Sequence, residues 1–253
     1  MISSRLKMAE KAVHMHVDMI EALLKKRKSQ YRFALKQPNR GKISNGENGT
    51  AIETYIDAET GETKKNILNC PLAKIGDTLW VKEPWFPKVF HSCCMDACDC
   101  ADIRVSYLVG NEQLYVSEWN IPENWSFPKG GFNANKGYLF SASMPKWASR
   151  IFLKVKNIRV EQLWEINEGD AIAEGVEPII WKTGECRYPD YLARHRNHRI
   201  KSENYTPQSS FFSFVESTKG RKFFESNPWV WVIEFEILEI KVGESKNEVT
   251  CTS

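Results

Sequence analysis

The sequence predicts an α+β fold, a small mixed β-barrel with flanking helices, and three observations carry that expectation. Along the chain the residue patterns read helix, strand, insertion, strand, helix, helix, strand. The strands are short and leave little room for the crossovers a parallel sheet needs, which favours a mixed barrel over a doubly wound sheet. The 253 residues are 42% hydrophobic and 26% charged, the balance of a globular chain rather than of a disordered or collagen-like one.

Each element has its own signal. Across residues 14–26, Val17, Met19, Ile20, Leu23 and Leu24 recur at three- and four-residue steps, which reads as an amphipathic helix with a basic C-terminal end. Residues 27–37 mix cations with Tyr31, Phe33 and Leu35 until Pro38 ends them, and residues 39–66 read as a long polar loop or a hairpin excursion. Ile75, Gly76 and Asp77 are a turn signal, and residues 78–83 interleave apolar and polar side chains as a strand that Pro84 stops. Residues 86–137, rich in Cys, Trp, Pro and Gly, read as an insertion with one strand at 103–109. A half-buried strand alternates through residues 151–160. Asn167, with Asp170 three residues on, caps a short helix that Gly175 ends. Residues 182–206 read as a polar loop, 208–219 as a second amphipathic helix with Phe211, Phe212, Phe214 and Val215 inside, and 229–237 as the clearest strand. A single domain over residues 1–240 is expected, with 241–253 as a flexible tail.

The net charge of +3 hides a split: residues 1–42 carry 11 Lys and Arg against 3 acids, a surplus of 8, and the rest of the chain carries a net of −5. A cationic N-terminal face suits phosphate, and an ordinary solvated face is the alternative. No run of about 18 apolar residues occurs, so no membrane helix is expected. The first 30 residues lack the pattern of a secretory signal. The 7 Cys are an odd number with four crowded into residues 93–100, a poor disulfide framework that points to a reducing cytoplasm.

Three stretches occur in a telling order. Residues 19–32 run from a helix into Lys28, Ser29, Gln30, Tyr31 and Arg32; residues 75–83 end in Leu79, Trp80, Val81, Lys82 and Glu83. The third joins residues 144–151, the helix through Glu174 and Gly175, and the closing strand after Asn227 and Pro228. Together they resemble the ASCH group of the PUA-like superfamily, in the longer version common in bacteriophage and prophage genomes, over roughly a third of the chain. That family shows a helix followed by Gly-Arg-Lys-Thr-x-Thr-x-Arg, and a Gly-Asp-x-Leu-Trp-Val-x-Glu strand.

The resemblance implies a PUA-like barrel with a Cys/Trp-rich insertion, and a cleft between the Lys-Thr-x-Thr loop and the helix bearing Glu. In smaller bacterial members that hydrolyse acetylated cytidine, a Lys, a Thr and a Glu do the chemistry. The Lys falls on Lys28, the first Thr on Ser29 and the Glu on Glu174. The nucleophilic Thr position falls on Tyr31, and the final Arg on Phe33, beside Arg32. A phenol is bulkier than a Thr hydroxyl and leaves more readily from any ester it forms. Ser29 shares the face of Tyr31 along a strand and is the other candidate nucleophile. Without the resemblance, Lys28 reads as a solvated cation and Glu174 as a helix-end carboxylate.

Two further clusters stand out. His91, Cys93, Cys94, Cys98 and Cys100 place five metal-ligand types within ten residues, so a structural zinc is one reading and free thiols are the other. Arg194, Arg196 and Arg199, with Lys25, Lys26, Arg27 and Arg32, are candidates for a phosphate-binding rim, while Tyr31 or a cleft Trp stacks on a base. The bland reading makes Trp80, Trp229 and Trp231 core. The leading expectation is a phage-type ASCH protein that binds RNA or a modified nucleotide, in the cytoplasm of a bacterial host. The alternatives are an amidohydrolase of acylated cytidine or a nuclease using Lys28 and Glu174, and a phage protein that binds and inhibits a host factor.

Overall fold

A computed structural model describes residues 8–36, 41–90, 102–126, 132–133, 137–196, 203–204, 206–241 and 243. The chain opens with β1 (Glu10–His14), α1 (Val17–Leu24) and β2 (Gln30–Ala34), then β3 (Lys42–Asn45), β4 (Thr50–Ile56) and β5 (Thr63–Asn69). Next come β6 (Thr78–Lys82), β7 (Trp85–Phe90), β8 (Asp102–Tyr107), β9 (Gln113–Val116), β10 (Phe132–Asn133) and β11 (Tyr138–Leu139). The long β12 (Ile151–Gln162) leads to α2 (Glu168–Ala173), β13 (Ile179–Ile180), β14 (Cys186–Pro189), α3 (Tyr191–Arg196) and β15 (Glu203–Asn204). Helices α4 (Pro207–Lys219) and α5 (Arg221–Glu225) precede β16 (Trp229–Ile240). The fold is α+β, dominated by sheet, and no described helix is long and apolar enough to cross a membrane.

The chain divides into two compact units, each assembled from separate stretches. The first takes Met1–Ala9, Ala22–Asp77 and Lys154–Glu236; the second takes Glu10–Glu21, Thr78–Leu153 and Ile237–Ser253. Strands β12 and β16, 12 residues each, contribute to both.

In the first unit β16 lies between β12 and β2, and pairs antiparallel with β2 so that Val232 faces Arg32 and Ile233 faces Tyr31. Helix α4 packs Phe211 and Val215 with Leu163, Ile166, Ala171 and Val176 against Val230 and Val232. Each of the Val, Leu, Ile and Phe side chains contributes roughly 1.5–3 kcal/mol when fully buried. Thr206 caps α4 by accepting a hydrogen bond from Ser209 N, and Pro207 occupies the first turn, where its missing N–H costs nothing. The expected alternation in β12 slips by one residue at Lys156 and Asn157, both exposed, after which Ile158 and Val160 turn inward.

Two segments expected as polar loop are structured. Residues 42–69 form the antiparallel sheet β3–β4–β5, a fuller version of the hairpin excursion. Residues 186–196 hold β14 and α3. The expected closed barrel is corrected: among the described residues the strands form four open sheets, and no sheet order returns to its first strand. The β3–β5 and β13–β15 strands pair only among themselves and add nothing to the wall that β12, β16 and β2 begin.

In the second unit β1 pairs parallel with β6, and residues 85–139 supply a five-stranded sheet of order β10-β11-β7-β8-β9. Its core gathers Trp85, Ile103, Val105, Tyr107, Leu114, Val116, Leu139, Met144 and Ala148. A buried ion pair crosses it. Arg150 Nε and Nη2 donate to the two oxygens of Glu83 at 2.9 and 2.8 Å, and Nη2 also donates to Val109 O. The Arg150 guanidinium lies 4.0 Å from the centre of the Tyr107 ring. His91, Cys93, Cys94, Cys98, Cys100 and Arg199 lie outside the described residues.

Candidate functional site

The exit from α1 sets up the site. Lys26 turns the chain with φ 56°, and the backbone N–H groups of Arg27 and Lys28 both reach Ala22 O, at 2.8 and 3.3 Å. Lys28 is thereby pointed inward, and β2 starts two residues later. Opposite it, Asn167 caps α2 by accepting from Asp170 N at 2.8 Å. Gly175 ends the helix at φ 101°, where a Cβ would lie only 2.6 Å from Ala22 Cβ. Glycine is required there on both counts.

These two ends meet across 146 residues of sequence. Lys28 Nζ donates to Glu174 Oε2 at 2.5 Å and to Glu174 O at 2.9 Å, so one ammonium holds both the side chain and the backbone of one residue. Exposure of the two side chains is 0% and 2%. Arg32 Nη1 donates to Glu174 Oε1 at 2.8 Å, and both Nε and Nη2 of Arg32 donate to Glu161 Oε1. Gln30 joins the cluster by accepting from Arg32 Nη1 at 2.9 Å and donating to Asp170 Oδ1 at 2.7 Å. Arg159 bridges Asp170, at 2.7 Å, to Glu161 and Glu234.

Burial tunes the groups. It holds the Lys28 amine below its ordinary range, against the opposing pull of the Glu174 charge. Burial, reinforced by the Glu174 charge, pushes the Tyr31 phenol up to about 12. Burial alone would lower Arg32, but the Glu174 and Glu161 carboxylates outweigh it and hold the guanidinium above its usual value. The Tyr31 ring centre is 5.9 Å from Lys28 Nζ and 6.0 Å from the Phe33 ring, whose plane is tilted by 24°. Both rings are half-buried.

The structure brings Lys28, Tyr31, Arg32 and Glu174 together. Ser29 is exposed, its backbone tied to Ala173 O and to Phe235 N, and its hydroxyl is not among the groups around Glu174. Lys25 and Arg27 share Glu177, at 3.6 and 3.1 Å, while Lys26 stands exposed. Arg32 is enclosed by carboxylates and presents 3% of its side chain to solvent, so it offers little to a phosphate. Arg194 and Arg196 lie on α3. Trp231 is core, and Trp80 and Trp229 are half-buried.

Gln30, Arg159, Glu161, Asp170 and Glu234 belong to the cluster without having been site candidates from sequence, where Asp170 is read only as part of a helix cap. Spacing held a signal for two of them. Gln30 and Arg32 share a strand face at i and i+2, and Asp170 and Glu174 share a helix face at i and i+4. No family model matches the chain, and no curated protein or solved structure matches it.

Proposed function

We propose that the chain is a PUA-like protein of the ASCH type that binds RNA or a modified nucleotide at the Lys28–Glu174 site of the first unit. The observation that carries this reading is the meeting of Lys28, Tyr31 and Glu174, the three positions the resemblance aligns with the family's cleft, around one buried ion pair. Beside that pair, Tyr31 and Phe33 present two near-parallel, half-buried rings, and Lys25 and Lys26 stand exposed in the turn between α1 and β2. Rings flanked by cations are the means by which proteins hold single-stranded nucleic acid.

Binding fits the site better than turnover. A phenol held at about 12 stays protonated at neutral pH and is a poor nucleophile. Lys28 and Glu174 already satisfy each other, so neither stands ready to take a proton from a substrate. One observation favours the second reading, hydrolysis of an acylated cytidine: burial pushes Lys28 toward the neutral amine a general base requires.

Titration with a short single-stranded RNA at several salt concentrations tests the proposal. Lys25→Gln with Lys26→Gln is expected to reduce the slope of log affinity against log salt by about 0.7 for each phosphate that the variant no longer neutralises. Tyr31→Ala is expected to cost about 1–3 kcal/mol of binding, the usual worth of one base stacked on an aromatic ring. Unchanged slope and affinity in these variants would remove the site.

A further inference from the structure

We infer that the outward face of β1 and β6, in the second unit, binds a phosphorylated nucleoside, with Trp80 taking the base and Lys82 and His14 taking the phosphate. The parallel register builds this face. Val13 pairs with Val81, and both are buried at 2% or less. The alternate residues point the other way: Ala12 pairs with Trp80 and His14 pairs with Lys82. Ala12 carries only a methyl group beside the indole, so the neighbouring strand does not cover the ring.

Lys82 occupies the place where a ligand would lie. Its ammonium sits 5.3 Å from the Trp80 ring centre and donates to Ala142 O at 2.8 Å. His14 Nδ1 is 3.3 Å from Ser141 Oγ. Glu10, the acid of β1 on this face, is tied to Lys146. An anion meets Lys82 and His14 while Glu10 is matched by Lys146, and the ring that Lys82 partly covers is freed when the ammonium turns to a phosphate. A flat base and a phosphate within one molecule match this pairing of ring and cation.

Among the described residues, Lys82 on β6 and Ser141 after β11 face His14, and the Glu10–Lys146 pair lies farther along β1. Burial and then the Lys82 charge depress the imidazole below 6.5, so it is neutral at neutral pH. A bound phosphate favours its protonated form, so His14 adds affinity as pH falls, against the loss of phosphate charge below its second pKa of about 6.

The test uses uridine monophosphate, uridine, inorganic phosphate and a short oligouridylate, on the full chain carrying Lys25→Gln and Lys26→Gln. That background keeps loss of the first site from being mistaken for loss of this one. Calorimetry and the Trp80 indole resonance, identified by its disappearance in Trp80→Phe, give the readout. Uridine monophosphate is expected to bind at least about tenfold more tightly than uridine or phosphate alone, and Lys82→Gln to weaken binding about tenfold, the equivalent of one charge-assisted hydrogen bond. Between about pH 8 and pH 5.5 affinity should fall in His14→Gln as the phosphate takes up its second proton, and fall less or rise in the parent, where His14 gains charge. Trp80→Phe should keep binding that Trp80→Leu loses. Tighter, equally Lys82-dependent binding of the oligouridylate assigns the site to a strand, and equal binding assigns it to a free nucleotide. No saturation below about 10 mM, or an affinity indifferent to Lys82→Gln, overturns the inference.

Discussion

Glu174→Gln is expected to cost the first unit more than Lys28→Met, although the two side chains form one ion pair. In Lys28→Met the Glu174 carboxylate keeps Arg32 Nη1 at 2.8 Å, so its charge stays compensated, and the flexible thioether fills the volume of the lysine stem. The bond to the carboxylate is lost, about 1.5–3 kcal/mol, and with it the bond to Glu174 O, a further ~1 kcal/mol. In Glu174→Gln an ammonium with 0% of its side chain exposed loses its counter-charge, and the new amide NH2 must face either it or Arg32. Removing one partner of a buried pair costs about 3–5 kcal/mol. The gap of about 0.5–1 kcal/mol is a factor of roughly 2–5 in the unfolding equilibrium. Lysine responds by shedding its proton. Burial already holds its pKa low, and losing the Glu174 charge, which raises it, drives it lower still. Between that folded value and the unfolded one near ~10.4, the unfolded state binds more protons, so the variant regains stability as pH rises. Urea unfolding at neutral and alkaline pH, with amide exchange read on β2 and α2, measures both effects. A larger loss in Lys28→Met, or a penalty of Glu174→Gln that grows with pH, would refute the reasoning.

Three other outcomes are expected. Gly175→Ala places a side chain at φ 101° with its Cβ 2.6 Å from Ala22 Cβ. Backbone strain of about 1–3 kcal/mol plus overpacking of about 1–3 kcal/mol should lower the urea midpoint, and adding Ala22→Gly should restore only part of it. In an alkaline absorbance titration, Tyr31→Phe should remove a phenol that titrates at about 12 and leave the lower part of the curve unchanged. Because that folded value is raised, Tyr31 contributes stability that is lost as pH climbs through it, so the Phe variant should lose less between about pH 10 and 12. Metal analysis after growth in zinc-supplemented medium should find close to one zinc per chain, held by Cys93, Cys98, Cys100 and either His91 or Cys94; finding none would dismiss the zinc reading.

What could be read in advance was local chemistry with an unambiguous partner. Asn167 and Gly175 bracket α2 because a short polar side chain and a residue tolerant of positive φ have few other uses at helix ends. Strand β16 showed itself through a run of β-branched and aromatic residues. Strand β5 was invisible because, of its seven residues, Leu68 alone is buried, leaving no alternation to detect. Pro87 is tolerated in β7 because β11 pairs with this strand only at Trp85, so the missing N–H breaks no ladder bond on that side. The Lys28–Glu174 meeting was legible only through a resemblance, since nothing in spacing joins residues 146 apart. Arg150 and Glu83 each lay in a recognised stretch, but their union across 67 residues had no local signal either.

The cluster of the first unit is unbalanced. Lys28, Arg32 and Arg159 face Glu161, Asp170, Glu174 and Glu234, four carboxylates to three cations, and the lysine is the member most inclined to lose its charge. The field at the mouth of such a site repels a phosphate and welcomes hydrogen-bond donors. A nucleotide approaching Tyr31 would therefore be sorted end from end, its sugar-phosphate kept out toward Lys25 and Lys26 and its base leading. Polarity of entry would be imposed by the ion pairs that also hold the helix in place.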